Sequence, residues 1–340
     1  MTTHKLNTPN SDLFTPIKIR EIATGFQSSR IFLTAYELGI FTALGDRART
    51  SAEVAKNLKT NPRATDRLMN ALCAMELLIK KGGKFSNTPA AAHLLVKGKP
   101  EYMAGFMHTV SLWDTWSTLT RAVREGTTAA IRPHTNDRKS TWLEAFIAAM
   151  HDRAVMQAPA VVSYIDLTGV NRILDVGGGS GAFSMAFVRA RKGISAAVFD
   201  LPNVIPLTRK YVKQAKLSSE IDYRVGDYLK NDIGRGFDIV FLSAIIHSNS
   251  EKENRRLLKK CAKSLNPNGQ LVVVDFIMDE DRLRPQHGAF FSLNMLVGTR
   301  AGDTYTESEI RSWMNAAGLK KIARIDTPFG TSLIKGAKSS

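Results

Sequence analysis

Apolar side chains in the first ninety residues recur every three or four positions, which is the spacing of amphipathic helices. The run from 17 to 44 has this spacing and is broken at Gly39. Thr50, with Glu53 three positions later, forms a capping box, and Asn61-Pro62 is a second helix start. A glycine turn at 81–84 leads into a short strand at 84–86. This order of helix, helix, turn and small wing predicts a winged helix.

The rest of the chain changes from a helical pattern to an alternating one. Residues 102–155 are predicted to be helical, and their many large apolar side chains belong mostly in a core. From 172 onward short apolar runs alternate with helical stretches, which predicts a doubly wound, mostly parallel sheet. The predicted strands are 173–176, 196–199, 222–225, 237–242 and 270–274, with an antiparallel terminal hairpin at 320–325 and 331–335.

These patterns divide the 340 residues into three parts. They are an all-helical winged-helix domain with a short wing at 1–105, a helical linker at 106–160 that can line a pocket, and an α/β domain at 161–340. The helix after Pro62 presents mostly apolar positions, which favours dimerisation. The alternative is DNA binding through Arg63, Arg67 and Asn70 of the same helix.

The composition, 44% hydrophobic and 23% charged residues, is that of an ordinary globular protein. No apolar run reaches the ~20 residues of a membrane span, and no secretory signal is evident, so a cytoplasmic location is expected. The net charge of +16 divides into +8 for residues 1–150 and +8 for the remainder. This even spread favours solubility over a nucleic-acid groove. The two cysteines and the acids and histidines lack metal-ligand spacing, so no metal is expected.

The strongest local signal is the glycine loop after the first predicted strand of the α/β domain. Asp175 is followed by glycines at alternate positions, Gly177, Gly179 and Gly181. Glycine lets the backbone turn sharply and approach a ligand, and the amides of the next helix point at that ligand. The spacing favours S-adenosylmethionine, whose cationic amino-acid part can lie near Asp175. A dinucleotide remains the alternative, because its fingerprint tolerates alanine in the last place, here Ala182.

Two further acids follow the next two predicted strands. Asp200 can accept hydrogen bonds from both ribose hydroxyls of an adenosine, and Asp227 from the adenine amino group, while Tyr228 or Leu229 packs on the ring. Taken singly, Asp200 could be a helix cap and Asp227 a turn acid. All three sites fall at the carboxyl ends of successive strands, where open α/β sheets bind ligands, so together they predict an adenosine site.

Four motifs together resemble the caffeate/hydroxyneurosporene-type small-molecule O-methyltransferases. They are the runs 173–181, 199–205, 226–228 and 244–247, and the resemblance extends over nearly the whole chain. It implies a class I methyltransferase fold with S-adenosylmethionine as cofactor and S-adenosylhomocysteine as product. It also implies a small-molecule acceptor and a homodimer formed through the N-terminal domain.

The same resemblance implies which residues act. His247 falls at the position of the family's catalytic base, and Asp275 and Thr304 fall where two carboxylates orient that base. Ser243 stands where many relatives have a lysine near the cofactor. The implied cofactor-binding residues are Asp175, Gly177, Gly179, Asp200, Leu201, Asp227, Tyr228 and Ser243, and the implied acceptor contacts are Phe146, Met150, Asn294 and Met295.

A histidine base suits methylation of a phenol, because neutral imidazole accepts protons near neutral pH and a phenol is a poor nucleophile until it is deprotonated. This sequence departs from the family pattern at three positions. Ser248 follows the histidine where an acid is common, Asp275 is shorter than a glutamate, and Thr304 lacks a carboxylate unless Asp303 substitutes for it. These departures keep a C- or N-methyltransferase as the alternative to the O-methyltransferase.

Methionine and phenylalanine side chains in the implied acceptor wall suit a flat aromatic or polyene acceptor. Asn294 is a polar group in that wall, and Trp113, Phe290 and Phe291 are further candidates. A third hypothesis is a regulator that binds DNA through the winged helix, with the cofactor as its effector.

Overall fold

The N-terminal elements begin and end at the residues that the sequence marks. The computed structural model of the protein describes residues 15–129 and 140–339. The Thr50 side chain accepts from the Glu53 N–H while the Glu53 carboxylate accepts from the Thr50 N–H, which confirms the capping box. Asn61 caps the next helix through Ala64, and Gly39, at φ 79°, ends a helix in the left-handed conformation.

These signals produce six short helices and a two-stranded wing. The helices are α1 (Pro16–Thr24), α2 (Phe26–Leu38), α3 (Ile40–Leu44), α4 (Ser51–Leu58), α5 (Pro62–Ala74) and α6 (Pro89–Leu94). The wing pairs β1 (Leu78–Lys81) with β2 (Lys84–Asn87) in antiparallel register, as the glycine turn predicts. Phe41, Leu72 and Phe85 are fully buried in the core of this unit. Asn70, a residue of the DNA-binding alternative, is engaged by Asp66 and Lys80 within the unit.

Three further helices follow the wing region. They are α7 (Phe106–Trp116), α8 (Leu119–Glu125) and α9 (Ser140–Ser163), and the predicted helical residues 130–139 lie outside the described ranges. The chain divides into two compact units between Val110 and Ser111. The three-part division at 105 and 160 therefore stays a prediction. Within the described ranges, no helix is both long and apolar enough to cross a bilayer.

The second unit is built on a seven-stranded sheet. Its strands are β3 (Arg172–Val176), β4 (Ser195–Asp200), β5 (Ile221–Val225), β6 (Phe237–Ser243), β7 (Leu265–Asp275), β10 (Leu319–Asp326) and β11 (Ser332–Lys338). The order β10-β11-β7-β6-β3-β4-β5 places β3 beside both β4 and β6 in parallel register, and β11 antiparallel to β7. The predicted parallel sheet and its terminal antiparallel hairpin are thus confirmed.

Alternate residues along each strand point to opposite faces of this sheet. Both sets are apolar, so helices cover both faces and bury them. Leu174 and Val176 of β3 enter a core that includes Trp313, whereas Ile173 enters a second core that includes Phe187. The remaining helices are α10 (Ala182–Ala190), α11 (Ile205–Gln214), α12 (Glu251–Ser264), α13 (Gln286–Gly298) and α14 (Glu307–Ala316), and the two-residue strands β8 (Ile277–Met278) and β9 (Tyr305–Thr306) pair apart from the main sheet.

Candidate active site

The loop after β3 is held by glycines in the left-handed conformation. Gly177 and Gly179 have φ values of 70° and 57°, which residues with a Cβ rarely adopt. The Ile245 side chain lies so close to Gly177 that a Cβ at that position would overlap it, and the Tyr228 ring lies on the same side. The Thr208 hydroxyl donates to the Gly179 carbonyl at 2.6 Å. The loop therefore brings bare backbone beside Ile245 and Tyr228.

The Asp200 carboxylate connects this loop to the end of β4. Its Oδ2 accepts from the Gly179 N–H at 2.8 Å, and its Oδ1 accepts from the Leu201 N–H at 2.7 Å. Burial raises the pKa of Asp200 to about 6, although the two backbone hydrogen bonds act in the opposite direction. Each oxygen keeps lone pairs that can accept from a ligand hydroxyl.

Asp175 lies beneath the glycine loop. It is 1% exposed, and its Oδ2 accepts from the Ser184 hydroxyl at 2.8 Å. A Cβ on Gly178 would lie 2.7 Å from this carboxyl group, so the loop passes directly over it. Burial, with a further contribution from the charge of Asp200, raises the pKa of Asp175 to about 7. Asp175 thus contacts both the glycine loop and Ser184. The sequence analysis did not identify Ser184 as its partner.

The raised pKa of Asp175 predicts how stability depends on pH. Between about pH 4 and pH 7 the folded protein holds a proton that the unfolded carboxyl has released, so wild-type stability falls as the pH rises through this window. Asp175→Asn cannot titrate, yet it keeps an oxygen for the Ser184 hydroxyl. We therefore expect the variant's unfolding free energy to rise relative to wild type between pH 5 and pH 8.

Urea denaturation at pH 5, 6, 7 and 8 measures this difference, which should change by up to about 1.4 kcal/mol per pH unit between pH 5 and pH 6 and level off above pH 7. The exposed Asp222→Asn on β5 is the matched control and should show a flat difference. A constant difference between Asp175→Asn and wild type across these pH values contradicts the prediction.

Asp227 and Tyr228 follow β5 beside the loop. Asp227 accepts from the Leu229 N–H at 2.9 Å through Oδ1 and faces the Lys230 ammonium at 3.1 Å through Oδ2. The Tyr228 hydroxyl donates to Asn249 at 3.2 Å, and burial raises its pKa well above the ordinary value. Ser243 is half-buried at the end of β6. Tyr228 lies 3.8 Å from where a Gly177 Cβ would be, and all three residues stand at the carboxyl ends of their strands.

His247 lies in a single 3-10 turn, Ile246–Ser248, just after β6. Its Nδ1 is 2.8 Å from Oδ1 of Asp275 at the end of β7, and its own N–H donates to Oδ2 at 3.4 Å. An ionised carboxylate only accepts, so Nδ1 carries the proton of the neutral ring and Nε2 is left with its lone pair. Asp275 is 3% exposed and also accepts from the Phe276 N–H, which fixes its orientation.

Thr304 occupies the second position at which the resemblance implies a carboxylate that orients the base. Thr304 is buried, but no hydrogen bond within the described residues joins it to His247. Asp303 does not take its place, since its carboxylate accepts from the Thr304 N–H at 2.7 Å and faces Arg282 at 3.7 Å. Asp275 is therefore the one carboxylate that the described part of the chain places against the ring.

A buried polar network, which the sequence reasoning missed, holds the turn that carries His247. Asn249 accepts from Tyr228, and its carbonyl accepts from the Tyr305 hydroxyl at 2.5 Å. Its amide donates to Asn254, whose own amide donates to the Ile246 carbonyl at 2.8 Å. The network thus connects the ring beside the glycine loop to the backbone on both sides of His247.

Gly302 packs against this turn, and it offers a test of how accurately His247 must be placed. A Cβ at Gly302 would overlap the His247 carbonyl and lie 2.6 Å from the Thr299 hydroxyl. We expect Gly302→Ala to lower kcat about tenfold to hundredfold by displacing the turn, because small misplacements of catalytic groups are costly. Steady-state kinetics with calorimetric binding of the cofactor measures both effects.

Cofactor affinity should be unchanged in Gly302→Ala, since the glycine loop lies elsewhere. The exposed neighbour Ala301→Ser is the matched control and should retain full activity. Unchanged kcat in Gly302→Ala would show that the turn tolerates displacement.

The acceptor-wall candidates lie on α9 and α13. On α9, Ile147 reaches within 3.7 Å of where a Gly179 Cβ would lie, and His151 Nδ1 is 2.9 Å from the Ser180 hydroxyl. Phe146 precedes Ile147 and Met150 precedes His151 along the chain, and both are half-buried. Because they are four residues apart, they lie on one face of α9, next to the face that carries Ile147 and His151. This helix therefore packs on the cofactor loop with one stripe and presents the two predicted wall residues on the next.

On α13, the Phe291 ring lies edge-on to the His247 ring, with centroids 4.8 Å apart. Phe276 contacts the Phe291 ring, with centroids 4.7 Å apart, so Phe291 packs against both Phe276 and the histidine. The Trp116 indole donates to Asn294 Oδ1 at 3.0 Å, and Met295 is buried. Phe290, in contrast, is 57% exposed.

Comparison with known proteins decides the family. Residues 116–320 match the model of the O-methyltransferase domain, and residues 20–97 match that of the O-methyltransferase dimerisation domain. The chain belongs to the O-methyltransferase family. It is an S-adenosylmethionine-dependent methyltransferase, and the bare glycine loop, with Asp200 bonded to it and Tyr228 beside it, fits that cofactor.

Several relatives span nearly the whole of this methyltransferase. The 3-hydroxy-5-methyl-1-naphthoate 3-O-methyltransferase of Streptomyces sahachiroi is 31% identical over 95% of this chain and 96% of its own. The N,N-dimethyltransferase OxyT of Streptomyces rimosus is 27% identical over 97% and 99%. The solved human N-acetylserotonin methyltransferase in complex with SAM is 23% identical, with a TM-score of 0.85 over 98% of this chain and 100% of that one.

Proposed function

We propose that this methyltransferase acts on a hydroxyl group of an aromatic small molecule, with His247 as the general base. The observation that carries the proposal is the Asp275–His247 pair, which leaves Nε2 as a proton acceptor on a ring that packs against Phe291. The bond to Asp275 stabilises the charge that the ring gains when it takes the acceptor's proton. S-adenosylmethionine, when bound, supplies the electrophilic methyl group.

The glycine loop and the acids at the strand ends would hold the cofactor. Asp200 is fixed by two backbone N–H groups and has lone pairs left for the ribose hydroxyls, while Asp227 can accept from the adenine amino group. Leu201 and Tyr228 offer apolar surface beside them, and Ser243 ends the strand that leads to His247. Asp175 lies beneath the loop, with its carboxyl group close to Gly178 and bonded to Ser184.

The aromatic character of the acceptor is inferred from the wall. Phe146, Met150, Met295 and Phe291 supply rings and thioethers, which pack well against flat π surfaces. Trp142 stacks on Phe146 at 5.2 Å, which supports the ring from behind. The aromatic acceptor named for the Streptomyces sahachiroi relative agrees with this proposal.

We also propose that the protein is a homodimer formed through its N-terminal unit. Besides the matched dimerisation domain, α1 supports this, because none of its residues is buried within the chain and its isoleucines are exposed. Ile17 and Ile22 are each 69% exposed. Apolar side chains on such a helix need a covering surface, and a second copy provides one.

Incubation with methyl-labelled S-adenosylmethionine and a panel of phenols, aromatic amines and electron-rich carbon acceptors tests the proposed reaction. Mass spectrometry locates the label. We expect label on a phenolic oxygen, and label exclusively on nitrogen or carbon would overturn the O-methyltransferase assignment.

An amine acceptor is the second candidate, favoured by two observations. Thr304 supplies no second carboxylate for the base, and a neutral amine needs little help in losing a proton. The OxyT relative is named an N,N-dimethyltransferase and matches 97% of this chain. In that case the aromatic-amine arm of the same panel carries the label, and activity survives the loss of His247.

A further inference from the structure

A cationic side chain continues the face of α9 that carries the proposed acceptor wall. Arg153 follows Met150 by three residues and Phe146 by seven, so the three side chains share one face of that helix. We propose that Arg153 binds a carboxylate on the acceptor, so that the acceptors of this methyltransferase are hydroxyarenes that also carry a carboxylate. The inference rests on the proposed function, because it names the acceptor class of the same site.

The guanidinium of Arg153 lies next to the segment that orients His247. Its Cζ atom is 4.9 Å from the centroid of the Phe276 ring, and Phe276 directly follows Asp275 in the chain. Phe276 packs on Phe291, and Phe291 packs on the His247 ring. The negative charge of Asp275 also acts on Arg153 and raises its pKa. The cation and the His247–Asp275 pair therefore lie around the same short stretch of chain.

The positive charge of Arg153 is not compensated within the described part of the chain. No residue of 15–129 or 140–339 forms a hydrogen bond or an ion pair with it, and its contact there is the face of Phe276. The Asp275 carboxylate is already engaged, since it accepts from the His247 ring and from the Phe276 N–H. Burial lowers the pKa of Arg153 by more than the charge of Asp275 raises it. This cation thus lacks an anionic partner.

The chemistry of a guanidinium selects the partner that a ligand can supply. Its planar set of N–H donors matches the two oxygens of a carboxylate, and such charge-assisted pairs are stronger than hydrogen bonds between neutral groups. The guanidinium nitrogens keep some contact with solvent, so a ligand can reach them. A neutral acceptor leaves the cation of Arg153 without its partner, and we expect it to bind about tenfold to hundredfold more weakly than the matching carboxylate.

Two pairs of hydroxynaphthalenes test the proposal at different separations of the two groups. One pair is 3-hydroxy-1-naphthoate with 3-hydroxy-1-naphthamide, and the other is 6-hydroxy-2-naphthoate with 6-hydroxy-2-naphthamide. Within each pair the compounds have similar size, and near neutral pH the first is an anion and the second is neutral. We measure the Kd of each by calorimetry with saturating S-adenosylhomocysteine, and kcat/KM of each with S-adenosylmethionine. We expect the wild type to prefer the carboxylate in Kd in at least one pair.

Three variants separate the charge of Arg153 from its packing. Arg153→Met keeps an unbranched apolar stem against Phe276 but removes the charge, so it should abolish the preference for the carboxylate. Arg153→Lys keeps the charge without the planar set of donors, and the preference should fall part of the way. Arg189→Met is the matched control, because it removes the same charge from an exposed position on α10, and it should keep the full preference.

Equal binding of acid and amide in both pairs, or binding of none of the four compounds, overturns the proposal. Survival of the preference in Arg153→Met also overturns it. If that variant weakened acid and amide by the same factor, Arg153 would support Asp275 and not bind the acceptor. Failure of the proposed function looks different, since the carboxylate would then bind preferentially through Arg153 while no label reaches its hydroxyl.

Discussion

His247→Ala is expected to lower kcat for methylation of a phenol by about a hundredfold to ten-thousandfold, the range that a positioned general base contributes. The side chain removed is the one whose Nε2 stays available while Asp275 holds Nδ1. Binding of the cofactor should change little, because the glycine loop and Asp200 remain intact. Stopped assays at saturating cofactor, with kcat and KM determined separately, measure the loss.

The acidity of the acceptor distinguishes lost base catalysis from a damaged site. A nitro-substituted phenol, already ionised at neutral pH, needs no base and should be methylated by His247→Ala at a rate close to that of wild type. The control is His287→Ala, an exposed ring that contacts Phe276 but not Asp275. Equal losses for the ordinary and the nitro-substituted phenol would remove His247 from the role of base.

Asp200→Asn is expected to raise the Kd of S-adenosylmethionine about tenfold to hundredfold. The carboxylate accepts from Gly179 and Leu201 with its two oxygens, and the amide can replace only one of them. Its NH₂ group would face a backbone N–H, so one charge-assisted hydrogen bond, worth about 1.5–3 kcal/mol, is lost and the loop moves. Calorimetric titration with the cofactor alone measures the change without any acceptor.

The matched control is Asp222→Asn, an acid on the neighbouring strand β5 whose side chain is exposed. It removes the same charge from the same region of the sheet, so it corrects for long-range electrostatics toward a cationic ligand. An unchanged Kd in Asp200→Asn would mean that the carboxylate is a structural cap of the strand end and takes no part in holding the cofactor.

The features that sequence could predict are those that depend on neighbours along the chain. The helix starts at Thr50 and Asn61, the strand alternation and the acids at strand ends all follow from local spacing. The pairing of His247 with Asp275 came from family resemblance and joins two adjacent parallel strands. For helix starts and strands, the pattern of residue types along the chain determines the backbone geometry, so these features can be predicted.

What the sequence could not supply are contacts between side chains far apart along the chain. Trp116 and Asn294 are separated by 178 positions, and the bonds from Asn249 to Tyr228 and Tyr305 depend on how three loops meet. The surroundings of Asp175 follow from strand geometry. Its neighbours Leu174 and Val176 point into one core, so Asp175 points to the opposite face, where α10 places Ser184.

The two stripes of α9 have a consequence for changing what this enzyme accepts. Ile147 and His151 contact the cofactor loop at Gly179 and Ser180. Phe146 and Met150, which directly precede them in the sequence, lie on the adjacent face of the helix. Combinatorial libraries at 146 and 150 can therefore explore new acceptor shapes while a fixed pair at 147 and 151 preserves cofactor use. One helix thus carries, at a spacing of a single residue, side chains that pack on the cofactor loop and side chains of the proposed acceptor wall.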